Sequence, residues 1–246
     1  MDKSSHSDFT MDEQRRAWDV WNAAAREGRI SDTSARQAQE VDRLVAALNR
    51  TDLSIIDVGC GTGWMAERLS RYGQVTGTDL AEEVLARARL RAPQVRFVAG
   101  DLFELDLPLQ SFDVVITLEV LPHVKDQPAF MRRLAALLKP GGLLILATQN
   151  KPVLERWSAV GGPQPGQLRH WVDAHELRRL LEPEFQDVRI VSLTPVGDQG
   201  LLRIVNSTKL NALVGMVVPP AWIKRAKEKA MLGHTLLASA RRGPAR

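Results

Sequence analysis

The spacing of apolar residues changes repeatedly along this chain. Between residues 54 and 148, short apolar runs alternate with stretches in which apolar residues recur every three or four positions. The short runs predict buried strands, and the wider spacing predicts amphipathic helices. Strands are predicted at 54–58, 74–78, 95–99, 113–118 and 143–148, and helices at 64–71, 81–91 and 127–138. This alternation predicts a parallel sheet with helices on both faces.

Helical spacing also precedes the first predicted strand. Residues 11–28 carry tryptophans on one side and charges on the other, and apolar residues recur at helical intervals over 38–48. We therefore predict a helical cap over residues 11–50. Residues 1–10 are polar and are predicted to form a disordered tail.

The pattern has longer interruptions past residue 150. Residues 150–168 are rich in proline and glycine and predict a loop. A helix is predicted over 173–182, and strands over 187–192 and 235–240. Between these two strands, the stretch 194–232 is predicted to be a helical insert.

Composition narrows the class of protein. A chain of 246 residues with 44% hydrophobic residues can bury a sizeable core. No apolar stretch is long enough to predict a transmembrane helix, and the polar first residues do not resemble a signal peptide, so we expect a cytoplasmic protein. Cys60 is the only cysteine, which excludes an internal disulfide. The net charge of +4 is modest, so nucleic acid is not predicted as a partner.

An acid and three glycines mark the end of the first predicted strand. Asp57 is followed by Gly59, Gly61 and Gly63 at alternate positions, and a helix is predicted to follow directly. Glycine permits positive φ and the close approach of a ligand. We expect the N–H groups of this turn and of the helix N-terminus to point at a ligand beyond the strand. The G-x-G-x-G spacing differs from the G-x-G-x-x-G of dinucleotide-binding folds.

Two further acids follow the next two predicted strands. Asp79 ends the second strand, and Asp101 follows the third. The carboxyl ends of parallel strands meet at one edge of a sheet, where ligands bind. A carboxylate after the second strand can accept two hydrogen bonds from ribose hydroxyls. Asp79 therefore predicts a nucleoside cofactor without distinguishing one such cofactor from another.

Five features in this order resemble class I S-adenosylmethionine (SAM) methyltransferases. They are the glycine turn, Asp79, Asp101, the strand ending near Glu119 and the helix stop at 139–142. In that family the turn holds the amino-acid end of SAM, the second acid the ribose and the third acid the adenine amino group, and the fourth strand ends beside the methionine. The resemblance implies the following SAM-binding residues: Asp57, Gly59, Cys60, Gly61, Gly63, Asp79, Leu80, Asp101, Leu102, Glu119 and Val120.

The resemblance also implies a fold and a domain plan. We expect an α/β protein with a Rossmann-like, seven-stranded, mostly parallel sheet, an N-terminal helical lid and a helical insert before the last strand. One domain is predicted over 11–246, with a SAM-binding core over 51–150 and a substrate-side half over 151–246.

Two histidines are candidate catalytic residues. His123 follows the fourth predicted strand, and His170 precedes the helix at 173–182. Either could remove a proton from an acceptor hydroxyl. Alternatively, His123 packs at the rim of the cofactor site and His170 anchors its loop. Methyltransferases of ubiquinone biosynthesis have an acid where this chain has Pro122, so their metal-assisted chemistry is not carried over and no metal is predicted.

Aromatic and basic residues are candidates for the acceptor site. Arg169 and Trp171 flank His170, and many small-molecule methyltransferases resemble this stretch. Arg169 could instead form a structural ion pair. The helix that carries Trp18 and Trp21 could simply pack on the sheet, and the stretch that carries Met216 and Trp222 could be an ordinary helical cover on the core. The predicted substrate-binding residues are Trp18, Trp21, Arg169, Trp171, Met216 and Trp222.

The resemblance implies transfer of a methyl group from SAM to a small-molecule acceptor, with oxygen as the expected acceptor atom. The alternatives are a small-molecule N-methyltransferase, a lipid or quinone methyltransferase at the membrane surface, and a non-catalytic SAM-binding regulatory protein. Stable membrane insertion is not expected in any of them.

Overall fold

A computed structural model describes residues 31–157, 168–194, 222 and 228–243. Over these residues the chain forms one seven-stranded sheet with helices on both faces. The strands are β1 (Leu53–Val58), β2 (Gly73–Asp79), β3 (Arg96–Ala99), β4 (Phe112–Leu118), β5 (Leu138–Gln149), β6 (Phe185–Leu193) and β7 (Thr235–Arg242). The helices are α1 (Asp32–Ala46), α2 (Trp64–Leu69), α3 (Glu82–Arg91), α4 (Gln127–Leu137), α5 (Lys151–Trp157) and α6 (Ala174–Leu181).

The strand order is β3-β2-β1-β4-β5-β7-β6. Strands β1 to β5 are parallel, and β7 runs antiparallel between β5 and β6. The chain winds outward from β1 in one direction and then from β4 in the other, so the carboxyl ends of β1 and β4 adjoin the crevice where ligands of such folds bind. The predicted seven-stranded, mostly parallel sheet is confirmed.

Each face of the sheet has its own apolar core. Ile55 of β1 lies in the cluster that includes α1, α2 and α3, and Ile56 lies in the cluster that includes α4 and α6. Both side chains are fully buried, as expected for a parallel strand covered on both faces. The helices on the two faces therefore fix the sheet and, with it, the loops that follow its strands.

The predicted start of the helix at 173–182 is confirmed in detail. The Asp173 carboxylate accepts the backbone N–H of Glu176 at 2.8 Å, and the Glu176 carboxylate accepts the N–H of Asp173 at 2.9 Å. This capping box satisfies donors that would otherwise lack partners at the first turn of α6. The capping box therefore fixes the backbone at Asp173, where the chain enters α6.

The start of β5 was predicted wrongly. Helix α4 ends at Leu137, directly before the predicted stop at 139–142, but the strand predicted from 143 already begins at Leu138, which pairs with Phe112. The next pair is Val114 with Leu143, so the intervening residues form a bulge. Gly141 has a φ of +73° within it.

Helix α5 lies where a loop was predicted. Pro152 occupies its first turn, where a missing N–H costs nothing, and Val153 and Leu154 are buried. The N–H groups of Val153 and Leu154 donate to the carbonyl of Asn150 at 3.0 and 3.1 Å. Burial of two apolar side chains thus outweighs the loop composition of the surrounding stretch.

Several predicted elements lie outside the described residues. These are the tail over 1–10, the helix over 11–28 and most of the insert over 194–232. Among the residues that are described, no helix combines the length and the apolar composition that crossing a membrane requires.

Candidate functional site

The glycine turn after β1 has backbone angles that favour glycine. Gly59, Gly61 and Gly63 have φ values of +72°, +51° and +75°. A Cβ atom on Gly59 would lie 2.2 Å from Cγ2 of Val120, and one on Gly63 would lie 2.8 Å from the ring of Phe97. At these two positions the space left by glycine is filled by protein side chains, a role that the sequence did not indicate.

The N–H groups of the turn bond within the protein. Those of Gly59 and Cys60 donate to the carbonyl of Thr78 at 2.7 and 2.9 Å, and that of Gly63 donates to the carbonyl of Cys60 at 3.0 Å. The N–H of Gly61 donates to Oδ2 of Asp79 at 2.7 Å. The expectation that these N–H groups point at a ligand is therefore wrong for all four. A tight turn at a buried strand end must satisfy its own donors.

Asp79 joins the ends of β1 and β2. Besides Gly61, its carboxylate accepts the N–H of Ala81 at 3.0 Å through Oδ1. The carboxylate therefore lies where the ends of the two strands meet, which is where the resemblance puts the ribose. Leu80, another predicted cofactor residue, is half-buried between Asp79 and Ala81.

Asp57 is the most deeply buried acid of the site. Its side chain is 2% exposed, and its Oδ2 has no hydrogen-bond partner among the described residues. Burial, and then the negative charge of Asp79, raises the pKa of the Asp57 carboxyl to about 7. A positively charged group placed beside this carboxylate would remove most of that penalty.

Asp57→Asn should stabilise the ligand-free protein at high pH. The folded pKa of about 7 exceeds the ordinary value of 3.8, so ionisation of Asp57 costs stability progressively between these pH values and by a constant amount above them. The melting temperature of Asp57→Asn should therefore exceed that of wild type more at pH 8 than at pH 5. The exposed Asp106→Asn is the matched control. An equal difference at both pH values would contradict the prediction.

Asp101 and Leu102 follow β3. Oδ1 of Asp101 accepts the N–H of Phe103 at 3.0 Å, and its carbonyl accepts the N–H of Leu105 at 2.9 Å. Leu102 is buried in the core, and its carbonyl accepts a hydrogen bond from Nε of Arg133 at 3.1 Å. Asp101 is half-buried and its carboxylate is held in this turn, while the N–H of the preceding Gly100 donates to the carbonyl of Asp79 at 2.9 Å.

Glu119 links the end of β4 to two distant elements. Its φ is +63°, and its Oε1 accepts hydrogen bonds from Nε2 of Gln37 at 2.5 Å and from Oγ1 of Thr235 at 3.1 Å. The sequence analysis missed Gln37 and Thr235. A signal existed for Gln37, which occupies the apolar stripe of α1 between Ser34 and Val41.

Val120 brings the loop after β4 against the glycine turn. Its side chain fills the space beside Gly59, as described above. The positive φ of Glu119 turns the chain sharply at the end of β4, and its N–H donates to the carbonyl of Ala147 at 2.8 Å. The loop that carries His123 is therefore anchored directly to the turn that follows β1.

The structure brings the two candidate histidine stretches together. Nδ1 of His123 donates to the carbonyl of Leu168 at 2.7 Å, and the N–H of His170 donates to the carbonyl of Pro122 at 2.7 Å. Nε2 of Gln127 donates to the carbonyls of Leu121 and His170 at 3.0 and 2.9 Å. Residues 168–172 thus form a wall beside the loop after β4, held by a buried glutamine that the sequence analysis missed.

His123 is a neutral imidazole at neutral pH. Burial lowers its pKa to about 4; the hydrogen bond to Leu168 opposes this shift and the positive charge of Arg169 adds to it. Because Nδ1 donates to a carbonyl, the proton resides on Nδ1 and Nε2 is the acceptor nitrogen. Nε2 of His123 is therefore unprotonated at neutral pH.

Trp171 and Arg169 lie on the same wall. Nε1 of Trp171 donates to Oε1 of Gln149 at 2.5 Å, which ties the indole to the end of β5. The guanidinium carbon of Arg169 lies 5.6 Å from the centroid of the Trp171 ring, within the range of a cation–π contact. Arg169 is half-buried, and burial lowers the pKa of its guanidinium from the ordinary value.

The described residues do not test the roles of the four remaining candidates for the acceptor site. Trp18, Trp21 and Met216 lie outside the described residues, and Trp222 is 68% exposed. Their roles at the acceptor site stay predictions. Across the described part of the chain, no group of three or more His, Cys, Asp or Glu side chains is arranged to hold a metal ion.

Comparison with known proteins decides the family. Residues 56–146 match a family described as a methyltransferase domain. A ubiquinone biosynthesis O-methyltransferase from Xanthomonas campestris pv. campestris is 32% identical over 203 residues, which covers 73% of this chain and 82% of the relative. This chain is a class I SAM-dependent methyltransferase family member. The resemblance predicted from the sequence is confirmed.

Other relatives agree over a shorter part of the sequence, and a solved structure agrees over nearly all of it. A ubiquinone biosynthesis O-methyltransferase from Bradyrhizobium diazoefficiens is 34% identical over 165 residues, or 64% of this chain and 63% of the relative. Several further relatives of the same name are matched over only about half of their length. The N-methyltransferase NodS from Bradyrhizobium japonicum, solved with S-adenosylhomocysteine, has the same fold with a TM-score of 0.66, 17% identity and coverage of 95% of this chain and 100% of NodS.

Proposed function

We propose that this protein transfers a methyl group from SAM to a hydroxyl of a small-molecule acceptor. The observation that carries the proposal is the contact between Val120 and Gly59. Through it, the turn that follows β1 adjoins the loop of His123, so a donor site and an acceptor site share one crevice. Such proximity supplies most of the catalysis that an already reactive methyl donor needs.

The residues at the carboxyl ends of β1, β2 and β3 fit SAM. The buried Asp57, whose Oδ2 has no described partner, suits the ammonium of the amino-acid end. In this proposal Asp79 accepts hydrogen bonds from the ribose hydroxyls, and Asp101 accepts one from the adenine amino group. SAM supplies an electrophilic methyl group because that methyl is attached to a positively charged sulfur.

The acceptor side supports oxygen as the methylated atom. A hydroxyl must lose its proton as it becomes a better nucleophile, and in this proposal Nε2 of His123, whose Nδ1 carries the other ring proton, accepts it. SAM bound in this crevice would supply the methyl group, the acceptor oxygen gaining the bond to carbon and the sulfur keeping the electron pair of the carbon–sulfur bond. The name shared by the curated relatives, which are O-methyltransferases, supports the same atom.

His170 serves the acceptor side through its backbone and its neighbours. Its N–H and carbonyl are bound by Pro122 and Gln127, so residue 170 is fixed against the loop after β4. Its imidazole is a second candidate for contact with the acceptor. The side chain of Gln127 links the two stretches, because it donates to the carbonyls of both Leu121 and His170.

Turnover against a panel of acceptors tests the proposal. The panel contains phenols, hydroxy acids, amines and short-chain quinols, each with SAM, and S-adenosylhomocysteine release is measured. We expect release with at least one hydroxyl compound and none with the corresponding methyl ether. Binding of S-adenosylhomocysteine without turnover on any compound would favour a SAM-binding regulatory protein, and turnover on amines alone would favour an N-methyltransferase.

Asp101→Ala should weaken the binding of S-adenosylhomocysteine more than that of its purine analogue, which lacks the adenine amino group. The carboxylate accepts a hydrogen bond from the adenine amino group in this proposal, at about 1.5–3 kcal/mol, or roughly 10- to 150-fold in affinity. Calorimetry with S-adenosylhomocysteine and with its purine analogue, which lacks that amino group, measures the two losses. Glu104→Ala, an exposed acid of the same loop, is the control. Equal losses for both ligands would place the Asp101 carboxylate away from the adenine.

A further inference from the structure

Glu119 has a backbone conformation that is strained for a residue with a Cβ atom. Its φ of +63° lies in the left-handed region, which favours glycine. Glu119 directly follows β4, and its N–H still donates to the carbonyl of Ala147 in β5. A strained backbone of this kind persists only where the surrounding structure holds it, so contacts elsewhere in the fold must fix Glu119.

Two side chains from separately anchored elements hold the Glu119 carboxylate. Nε2 of Gln37 in α1 and Oγ1 of Thr235 in β7 both donate to its Oε1, at 2.5 and 3.1 Å. Gln37 is buried on the face of α1 that packs against the sheet. Thr235 is fully buried, and its backbone pairs with residues of both β5 and β6. Both donors are thus fixed by their own elements, and bonds to a carboxylate are stronger than bonds between neutral groups.

The direction of the chain after Glu119 decides two contacts of the site. Val120 follows directly, and its Cγ2 lies 2.2 Å from the position of a Cβ on Gly59, so it packs against the glycine turn. The carbonyl of Val120 accepts the N–H of His123 at 2.9 Å, which closes the short helical turn Leu121–His123. A change of φ at Glu119 would therefore move the glycine-turn contact and the histidine together.

We infer that Gln37 and Thr235 are positioning residues for the donor site. They hold Glu119 at positive φ, and Glu119 in turn keeps Val120 against the glycine turn where SAM is proposed to bind. This inference rests on the proposed function, because it names residues that arrange the same site from a distance. Neither residue touches SAM or the acceptor in this role. The Glu119 carboxylate acts through the backbone that it fixes.

Glu119→Ala and Glu119→Gly separate this backbone role from direct contact between the carboxylate and the ligand. Both substitutions remove the carboxylate and its two hydrogen bonds, but only glycine adopts positive φ without strain. Glu119→Gly should therefore bind S-adenosylhomocysteine about fivefold or more tightly than Glu119→Ala, as measured by calorimetry. Equal affinities in the two variants, including no binding by either, would overturn the inference.

Gln37→Met tests the role of the glutamine itself. Methionine keeps the length of the side chain and removes the donor. The affinity for S-adenosylhomocysteine should therefore fall about fivefold or more in the wild-type background and less than about twofold in the Glu119→Gly background, where no donor is needed. Thr235→Val, which removes the hydroxyl at nearly constant volume, should behave in the same way. No loss in the wild-type background, or the same loss in both backgrounds, would overturn the inference.

Controls separate this inference from a loss of stability and from the proposed function. Val41→Ala opens a cavity on the buried face of α1, one turn beyond Gln37, and removes no hydrogen bond. It should lower the melting temperature and leave the affinity for S-adenosylhomocysteine within about twofold of wild type. A loss of affinity as large as that of Gln37→Met would overturn the assignment of Gln37.

Binding by the wild-type protein distinguishes the two levels of the argument. Every affinity is measured well below the melting temperature of the variant concerned, so that only folded protein is compared. Failure of wild type to bind S-adenosylhomocysteine would overturn the proposed function. Normal binding by wild type, with equal affinities in Glu119→Gly and Glu119→Ala, would overturn the inference about Gln37 and Thr235 alone.

Discussion

His123→Ala should lower the rate of methyl transfer by about 10²–10⁴-fold while affinity for SAM stays unchanged. The imidazole lies in the loop after β4, and in the proposed mechanism its Nε2 accepts the proton of the acceptor hydroxyl. The rate constant is measured at saturating SAM, and SAM affinity is measured separately by calorimetry. A loss well below tenfold would mean that proximity in a water-poor crevice carries the reaction without a base.

His123→Asn separates proton transfer from positioning. The asparagine amide can donate to the carbonyl of Leu168 as Nδ1 of His123 does, but it has no counterpart of Nε2. If His123 is the base, the asparagine variant should be as slow as the alanine variant. A near-normal rate in His123→Asn together with a slow His123→Ala would instead make His123 a positioning residue.

The pH dependence gives a second readout of the same group. Because the pKa of His123 is lowered to about 4, its proton-accepting form persists throughout the neutral range. The turnover rate should therefore lack a descending limb near the ordinary histidine pKa of 6.5 and fall only as the pH approaches 4. His170→Ala is measured alongside, and turnover near wild type in both alanine variants would remove acid–base catalysis by these histidines.

Asp79→Ala should weaken the binding of SAM by roughly 10²–10⁴-fold, since it removes the two charge-assisted hydrogen bonds that we propose to the ribose, at about 1.5–3 kcal/mol each. The structure adds a second cause, because the carboxylate also holds the N–H groups of Gly61 and Ala81. The variant should therefore melt at a lower temperature even without ligand. Calorimetry with SAM and thermal unfolding of the free protein measure the two effects.

A ribose analogue distinguishes the two causes. S-adenosylhomocysteine lacking the 2′-hydroxyl offers one hydrogen bond fewer to Asp79, so its affinity should fall less than that of S-adenosylhomocysteine itself in the Asp79→Ala variant. Equal losses for both ligands would mean that Asp79 acts only by holding Gly61 and Ala81. Unchanged SAM affinity would exclude Asp79 from the cofactor site altogether.

The sequence by itself determined the sheet, the family and the edge at which the acids lie. Strand and helix periodicity are local properties, and parallel strands must place their carboxyl ends together, so Asp57, Asp79 and Asp101 could be assigned to one edge before any coordinates were known. The capping box of Asp173 and Glu176 was equally readable, because its partners are three residues apart.

Only the tertiary structure decided what these residues contact. The glycines at 59 and 63 make room for Val120 and Phe97, which come from other strands or their loops. The partners of Glu119 include Gln37 and Thr235, and those of His123 include Leu168. Spacing in the sequence carries no information about such distant pairs. The same holds for the pKa values of Asp57 and His123, which depend on burial and on neighbouring charge, and both are set by how the whole chain packs.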